Sequence, residues 1–231
     1  MPEGSIGFFP DVGANWWLPR VPLPGAGRYI ALTGARLGAA DMICTGLATH
    51  FVVSEAVEDL ESALRAAAVA GGSVDVAAIL AAHTSEPDRS KSVLLANADA
   101  LEECFAKASS VAAVFDALER RSRSGCSWAA ETLGTLRSRS PTSLKLSFEA
   151  MARGAAMGFE DVLRMEFRLA MAVFRMSSAT LREGDVYEGI RAVLVDKSGR
   201  PSWSPASLEQ VRDDAIVAMF EPLTGRDELQ L

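Results

Sequence analysis

Histidine is scarce in this chain: among 231 residues only His50 and His83 occur. A structural zinc site needs four closely spaced nitrogen or sulfur ligands. Two separated histidines and three scattered cysteines, Cys44, Cys104 and Cys126, do not offer that pattern. The cysteine count is odd and no CxxC pair is present, so the thiols read as reduced and mostly buried, in a reducing compartment. No window approaches the ~20 apolar residues of a membrane span. Met1 leads directly into a structured motif, with no signal or transit segment in view. Basic residues are outnumbered, 23 against 30 acidic, for a net charge of −7 and a pI near 5.0. That balance excludes nucleic acid as a partner, because phosphate backbones require a basic footprint. A GxSxG elbow, a GxxxxGK(S/T) loop and an HExxH helix are also missing, and Gly25-Ala26-Gly27 is too short for a dinucleotide fingerprint.

What is present favours helix. Alanine is abundant, and aromatic residues make up only 7% of the chain, with β-branched residues modest in number. Between Val12 and Phe51 the punctuation predicts three short helices, over 13–20, 25–33 and 39–46, with Gly34 and Gly46 as stops. Ala48 to Val53 reads as a brief strand. Further on, apolar residues recur at three- and four-residue spacing: Val57, Leu60 and Leu64; Val76, Ile79 and Leu80; Leu94, Ala98, Leu101 and Phe105; Val111, Val114, Phe115 and Leu118. Ser140-Pro141 marks a cap with proline at the first helical position, and Ser204-Pro205 repeats that signature before a terminal helix. From Phe159 to Phe174 one apolar face carries Glu166 near its centre. A carboxylate there needs a partner or a shifted pKa, and Arg191 and Arg182 are the cations considered for it. No internal repeat, low-complexity tract or flexible linker is evident.

The chain opens Met-Pro-Glu-Gly-Ser-Ile-Gly-Phe-Phe-Pro-Asp-Val-Gly, which places Glu3 and Asp11 in a Gly- and Pro-punctuated loop. Ile6, Phe8, Phe9, Val12, Trp16, Trp17 and Leu18 make this an interior segment rather than a frayed terminus. Two such carboxylates can divide labour, one as nucleophile or general base and the other orienting substrate or water. On the residues alone, helix capping or amide binding is the favoured role. His50 has no neighbour to orient it as a triad member and reads as structural. The run Arg120-Arg121-Ser122-Arg123-Ser124-Gly125 fits a helix C-terminus better than a CoA phosphate clamp. Tyr187 and Trp203 read as packing residues rather than an adenine clamp.

The order of motifs adds to this. Pro2-Glu3, Ile6-Gly7, Phe9-Pro10-Asp11-Val12-Gly13, Leu18-Pro19-Arg20, Ala31-Leu32-Thr33-Gly34 and Gly46-Leu47-Ala48-Thr49-His50-Phe51-Val52 follow one another closely. Downstream come Ser140-Pro141-Thr142-Ser143-Leu144-Lys145, Met165-Glu166-Phe167-Arg168-Leu169, Glu188-Gly189-Ile190-Arg191 through Lys197, and Pro201-Ser202-Trp203. The series closely resembles the crotonase (enoyl-CoA hydratase/isomerase) superfamily, within it the 3-hydroxyisobutyryl-CoA hydrolase branch. Pro10-Asp11-Val12-Gly13 and the long helical stretch between Val53 and Ser140 separate it from typical hydratases.

The resemblance implies a mostly α chain, the C-terminal portion of a crotonase-like α/β spiral fold with a few short N-terminal strands. Residues 1–53 would be a remnant of the core, and 54–231 a helical C-terminal region. It implies that Glu3 attacks a thioester carbonyl or activates water, and that Asp11 engages the substrate hydroxyl or assists. The implied substrate is an acyl-CoA, with no cofactor or metal, no nucleic acid and no membrane partner; the superfamily's trimers leave a homo-oligomer open. The resemblance implies hydrolysis of 3-hydroxyisobutyryl-CoA to 3-hydroxyisobutyrate and CoA, a step of valine breakdown, and with it a mitochondrial setting; the ending Leu229-Gln230-Leu231 does not match a peroxisomal address. About two-fifths of the family's length, including the oxyanion hole, precedes Pro2-Glu3, so little turnover is expected from these 231 residues alone. Ala14-Asn15-Trp16-Trp17 also departs from the family's glycine and smaller aromatics. Hydratase or isomerase chemistry, and a non-catalytic truncated product that only packs or oligomerises, are the competing readings.

Overall fold

Alanine-rich segments with apolar residues three and four apart fold as helices in the computed structural model, which describes residues 1–71, 73–176, 184–223 and 228–231. A 3-10 turn, Glu3–Ile6, precedes α1 (Ala14–Trp17), which runs into a 3-10 turn over Leu18–Arg20. There follow α2 (Ala26–Thr33), α3 (Ala39–Cys44), α4 (Val57–Ala70), α5 (Val76–His83) and α6 (Val93–Ala96). Helix α7 (Ala98–Leu101) continues as a π turn, Glu102–Ala106. Then come α8 (Val111–Arg123), α9 (Ser127–Arg137), α10 (Pro141–Gly154) and α11 (Phe159–Met176). Helix α12 (Asp185–Ile190) also ends in a π turn, Arg191–Val195, and α13 (Asp213–Ala218) closes the series.

The expected strand over 48–53 reduces to one antiparallel bridge, Phe51 with Ser85, the only β pairing among the described residues. A short β-branched run without a partner strand has nowhere to place its backbone hydrogen bonds. Ser204 caps no helix. The peptide bond to Pro205 is cis, and helical structure resumes only at Leu208–Gln210 and α13.

Contacts divide the chain into two units, residues 1–36 with 97–231, and residues 37–96; residue 53 falls inside the second. In the smaller unit α4 and α5 bury no residue fully, so their apolar stripes are half-covered rather than core. Among the described residues its buried acid is Asp41, 3% exposed, beside Leu94, Thr45 and Ser92. The Asp41 carboxylate accepts hydrogen bonds from Ser92 Oγ at 2.6 Å, Leu94 N at 3.0 Å and Gly38 N at 3.3 Å. One acid thereby serves the N-termini of both α3 and α6.

In the larger unit α11 buries Val162, Met165 and Leu169 against Leu146 and Ala150 of α10, Phe9 of the opening loop, and Ile216, Met219 and Phe220. The ends of the α11 stripe are less covered, Phe159 at 48% and Phe174 at 45% exposure. Phe159 meets Trp16 edge-on at 5.6 Å. A second cluster joins Tyr29 of α2, Phe105 and Trp128, with ring centroids 5.3 to 6.3 Å apart. Burying the opening loop between α10, α11 and α12 is what fixes Glu3 and Asp11 in space.

Candidate active site

The Glu3 turn is held by backbone contacts on several sides. Phe8 N donates to Glu3 O at 3.0 Å, Ser5 Oγ donates to Pro2 O at 2.6 Å, and Ser140 N donates to Gly4 O at 3.3 Å. Gly7 ends the turn in the left-handed region, φ 73°, where L side chains are disfavoured. Helix α12 lies directly against it. A Cβ on Gly7 would sit 2.3 Å from the Asp185 carbonyl atoms, and one on Gly189 would sit 2.4 Å from Ile6 C and Cα. The two glycines let a helix and a turn touch backbone to backbone. At the head of α12 the Asp185 carboxylate accepts from Ser140 Oγ at 2.5 Å and Ser204 N at 2.9 Å. Burial pushes this carboxyl up, against the pull of those two donors. Ser140 also caps α10, accepting from Ser143 N at 3.0 Å.

The Glu3 side chain is half-buried. Its Oε2 is enclosed and has no hydrogen-bond partner among the described residues. Burial raises its pKa above the ordinary 4.5, its own backbone hydrogen bond and the amino terminus oppose, and the charge of Asp11 adds to the rise. A buried acceptor without a partner is costly, so the fold carries a penalty here. Glutamine leaves a polar atom in that place but removes the charge that burial disfavours, so replacing Glu3 by glutamine is expected to raise the melting temperature at pH 7 by roughly 2 °C. The sign follows from proton linkage. With the folded pKa raised, an ionised carboxylate destabilises the fold above that value, and the penalty vanishes below the unfolded value of 4.5. The gain should disappear near pH 3 in thermal melts, and a Glu3→Gln variant less stable than wild type at pH 7 would contradict this account.

Asp11 sits on the neighbouring loop, half-buried, with Ala14 N donating to its backbone O at 3.0 Å. Its charge acts on both Glu3 and Glu166, so Asp11 stands within electrostatic range of each of the other two carboxylates. Glu166, 5% exposed on the inner face of α11, is paired as expected, but not with a cation. Its Oε2 accepts from Gly13 N at 2.7 Å, and its Oε1 accepts from Asn15 N at 3.2 Å and Asn15 Nδ2 at 2.9 Å. Asn15 Nδ2 also donates to Pro10 O at 2.6 Å. Arg191 is instead held by Glu188 and Asp196, and Arg182 lies outside the described residues. Burial pushes the Glu166 carboxyl up, the Gly13 and Asn15 donors pull it back, and Asp11 raises it further.

Other candidates fall to structural roles. His50 is exposed, bonded to Thr49 Oγ1 at 2.8 Å and not flanked by a strand. Arg121 and Arg123 are taken by Glu103 at 2.6 Å and Glu119 at 3.1 Å, as suits the end of α8. Trp203 Nε1 donates to Ser138 O at 3.0 Å, and Tyr187 lies half-buried in α12. Only Cys104 of the three thiols is fully buried; burial pushes it up to about 11, which makes it a poor nucleophile. Sequence reasoning missed Asn15, Ser140 as a tether, and Asp185. An Asn two residues past a Gly was the available signal for the first.

The Enoyl-CoA hydratase/isomerase family profile fits residues 1–220, and the chain belongs to that family. Among curated relatives, the mitochondrial 3-hydroxyisobutyryl-CoA hydrolase of Xenopus tropicalis is 41% identical, covering 100% of this chain and 57% of its own length. The human protein of the same name is 38% identical, covering 98% of this chain and 56% of its own length. 3-Hydroxyisobutyryl-CoA hydrolase 1 of Arabidopsis thaliana is 36% identical, covering 100% and 60%. Of solved structures, a carnitinyl-CoA dehydratase from Mycobacterium thermoresistibile superposes with a TM-score of 0.80 at 35% identity, over 96% of this chain and 58% of that one. The chain thus spans a little under three-fifths of the length of the relatives it matches.

Proposed function

We propose that this chain carries the acid side chains of a 3-hydroxyisobutyryl-CoA hydrolase, acting in mitochondria like the relatives that bear that name. The observation that carries the reading is the enclosed, unpartnered Oε2 of Glu3, with the charge of Asp11 acting beside it. An acceptor left open inside a fold suits a group whose partner arrives with substrate. Identities of 36 to 41% with hydrolases across essentially the whole chain support the substrate class.

The chemistry fits these residues. Glu3, ionised, attacks the thioester carbonyl or removes a proton from a water that does so. The C–S bond breaks as the tetrahedral adduct collapses, and CoA leaves as the thiolate. In the attack route, water then cleaves the acyl–glutamyl anhydride, releasing the carboxylic acid and restoring Glu3. Asp11 orients the substrate hydroxyl or the water. Oxyanion donors, each worth on the order of a hundredfold to a thousandfold in rate, belong by family resemblance to the part of the family's length that precedes Pro2-Glu3.

The test is release of CoA thiol from 3-hydroxyisobutyryl-CoA, measured for the 231 residues alone and for the same chain within a polypeptide carrying the family's preceding portion. Hydrolysis by the longer form and little by the shorter is the expected result. Loss of ultraviolet absorbance from an enoyl-CoA without thiol release would assign hydratase chemistry instead. Inactivity of both forms on both substrates would leave a packing role.

A further inference from the structure

Val12 is the backbone anomaly of the opening loop. It has φ 51°, a left-handed conformation that β-branched residues avoid because of steric strain. Its side chain is 77% exposed, so packing of the valine does not offset that strain. The flanking hydrogen bonds do. Gly13 N, one residue on, and Asn15 N and Nδ2, three residues on, all donate to the carboxylate of Glu166, which lies on α11, 153 residues beyond Gly13 and 151 beyond Asn15. The same Asn15 amide reaches back to Pro10 O. Asp11 is therefore bracketed: Pro10 O before it and Gly13 N after it are both tied, directly or through Asn15, to one carboxylate.

We infer that Glu166 is the positioning residue of this site, a clamp on the Pro10–Asn15 loop that holds Asp11 where its charge bears on Glu3. The inference rests on the hydrolase reading only for what the Glu3–Asp11 pair does, not for the clamp itself. The residue type has a physical reason. Three donors converge on two oxygens, and only a carboxylate accepts at both. Glutamine would turn an NH2 toward either Gly13 N or the Asn15 donors, and that side of the loop would come free. Once free, Val12 relaxes to negative φ and Asp11 moves.

The test reads Glu3 itself. In the 231-residue chain with 13C-labelled glutamate, the Glu3 carboxyl is titrated by NMR in wild type, Asp11→Asn, Glu166→Gln and the double variant. The charged groups around Glu3 are Asp11 and the amino terminus, with Arg139 packed on Gly4 and donating to Thr33 O. Glu166 acts on Glu3 through the loop. Removing Asp11's charge should lower the Glu3 midpoint, since that charge is one of the causes of its rise. Glu166→Gln should lower it comparably, and the double variant should add nothing further. Val12→Gly, which removes the strain, should return the Glu166→Gln midpoint toward wild type. A Glu3 midpoint unmoved by Glu166→Gln, while Asp11→Asn shifts it, would overturn the inference and leave Glu166 as packing for α11. If Glu166→Gln fails to fold, Asn15→Ala cuts the arm of the bracket that runs from Glu166 to Pro10 O while leaving Glu166 and its Gly13 N bond intact, and the same two outcomes decide. Because the readout is a titration and not turnover, failure of the hydrolase reading leaves this result standing.

Discussion

Gly189→Ala is expected to destabilise the chain by roughly 3 kcal/mol or more, a far larger loss than its position in a short helix suggests. In an ordinary helix interior the same change stabilises by about 1 kcal/mol, because alanine loses less backbone entropy. Here the new methyl would lie 2.4 Å from Ile6 C and Cα and 2.5 Å from Ile6 O, atoms of a main chain that cannot rotate away. Relief requires α12 and the Glu3–Ile6 turn to separate. That in turn strains Asp185, which is tied to Ser140 and Ser204. Gly7→Ala should be at least as harmful, since it adds a left-handed φ of 73° to a 2.3 Å approach to Asp185. Gly134→Ala is the control: it lies inside α9, and a methyl added there would meet nothing within 4 Å. Urea midpoints at unchanged slope give the comparison. Gly134→Ala should rise and Gly189→Ala should fall, and equal responses would refute the backbone contact.

That contact also marks where sequence reading stops. Two glycines at opposite ends of a chain carry no joint signal in one sequence, and each alone is explained by a turn or a helix end. The periodicity of α11, by contrast, is visible in the sequence: Val162 and Leu169 lie on its buried face with Glu166 between them, while Met165, also buried there, is not among the residues that reading picks out. The burial of that acid followed from 3.6 residues per turn. Its partners did not, because backbone N–H groups are present at every residue and leave no compositional trace. A cation was the sequence-level expectation, and amides of a distant loop were the outcome. Helix α9 went unforeseen although Trp128, Thr132, Leu133 and Leu136 have the right spacing, since Cys126 is a poor cap signal. The strand over 48–53 failed for the opposite reason. Its residues suit a sheet, but among the described residues the single bridge to Ser85 is all the pairing they find. Glu3 and Asp11 became candidates through motif order, and on spacing alone they were two loop acids.

Glu3→Gln should lower kcat/KM for 3-hydroxyisobutyryl-CoA by on the order of a thousandfold or more, in the polypeptide that carries this chain with the family's preceding portion. Glutamine keeps the shape and fills the same enclosed space but neither attacks a carbonyl nor takes a proton from water. Since the same substitution is expected to stabilise the fold at pH 7, loss of activity would not be loss of structure. Asp11→Asn should cost less, about ten- to a hundredfold and mainly in kcat, as suits a group that orients or assists. The double variant should be scarcely worse than Glu3→Gln, because residues acting as one unit are not additive. The pH profile supplies an independent check. On the proposed mechanism Glu3 acts in its ionised form, so the acidic limb of the rate should follow its raised pKa and lie above the ordinary 4.5. Asp11 contributes to that rise by like-charge repulsion, so Asp11→Asn should move the limb to lower pH while lowering the plateau. Activity of Glu3→Gln within tenfold of wild type would remove Glu3 from the chemistry. An acidic limb that stays put in Asp11→Asn would show that the two carboxylates do not act on one another at the moment of reaction.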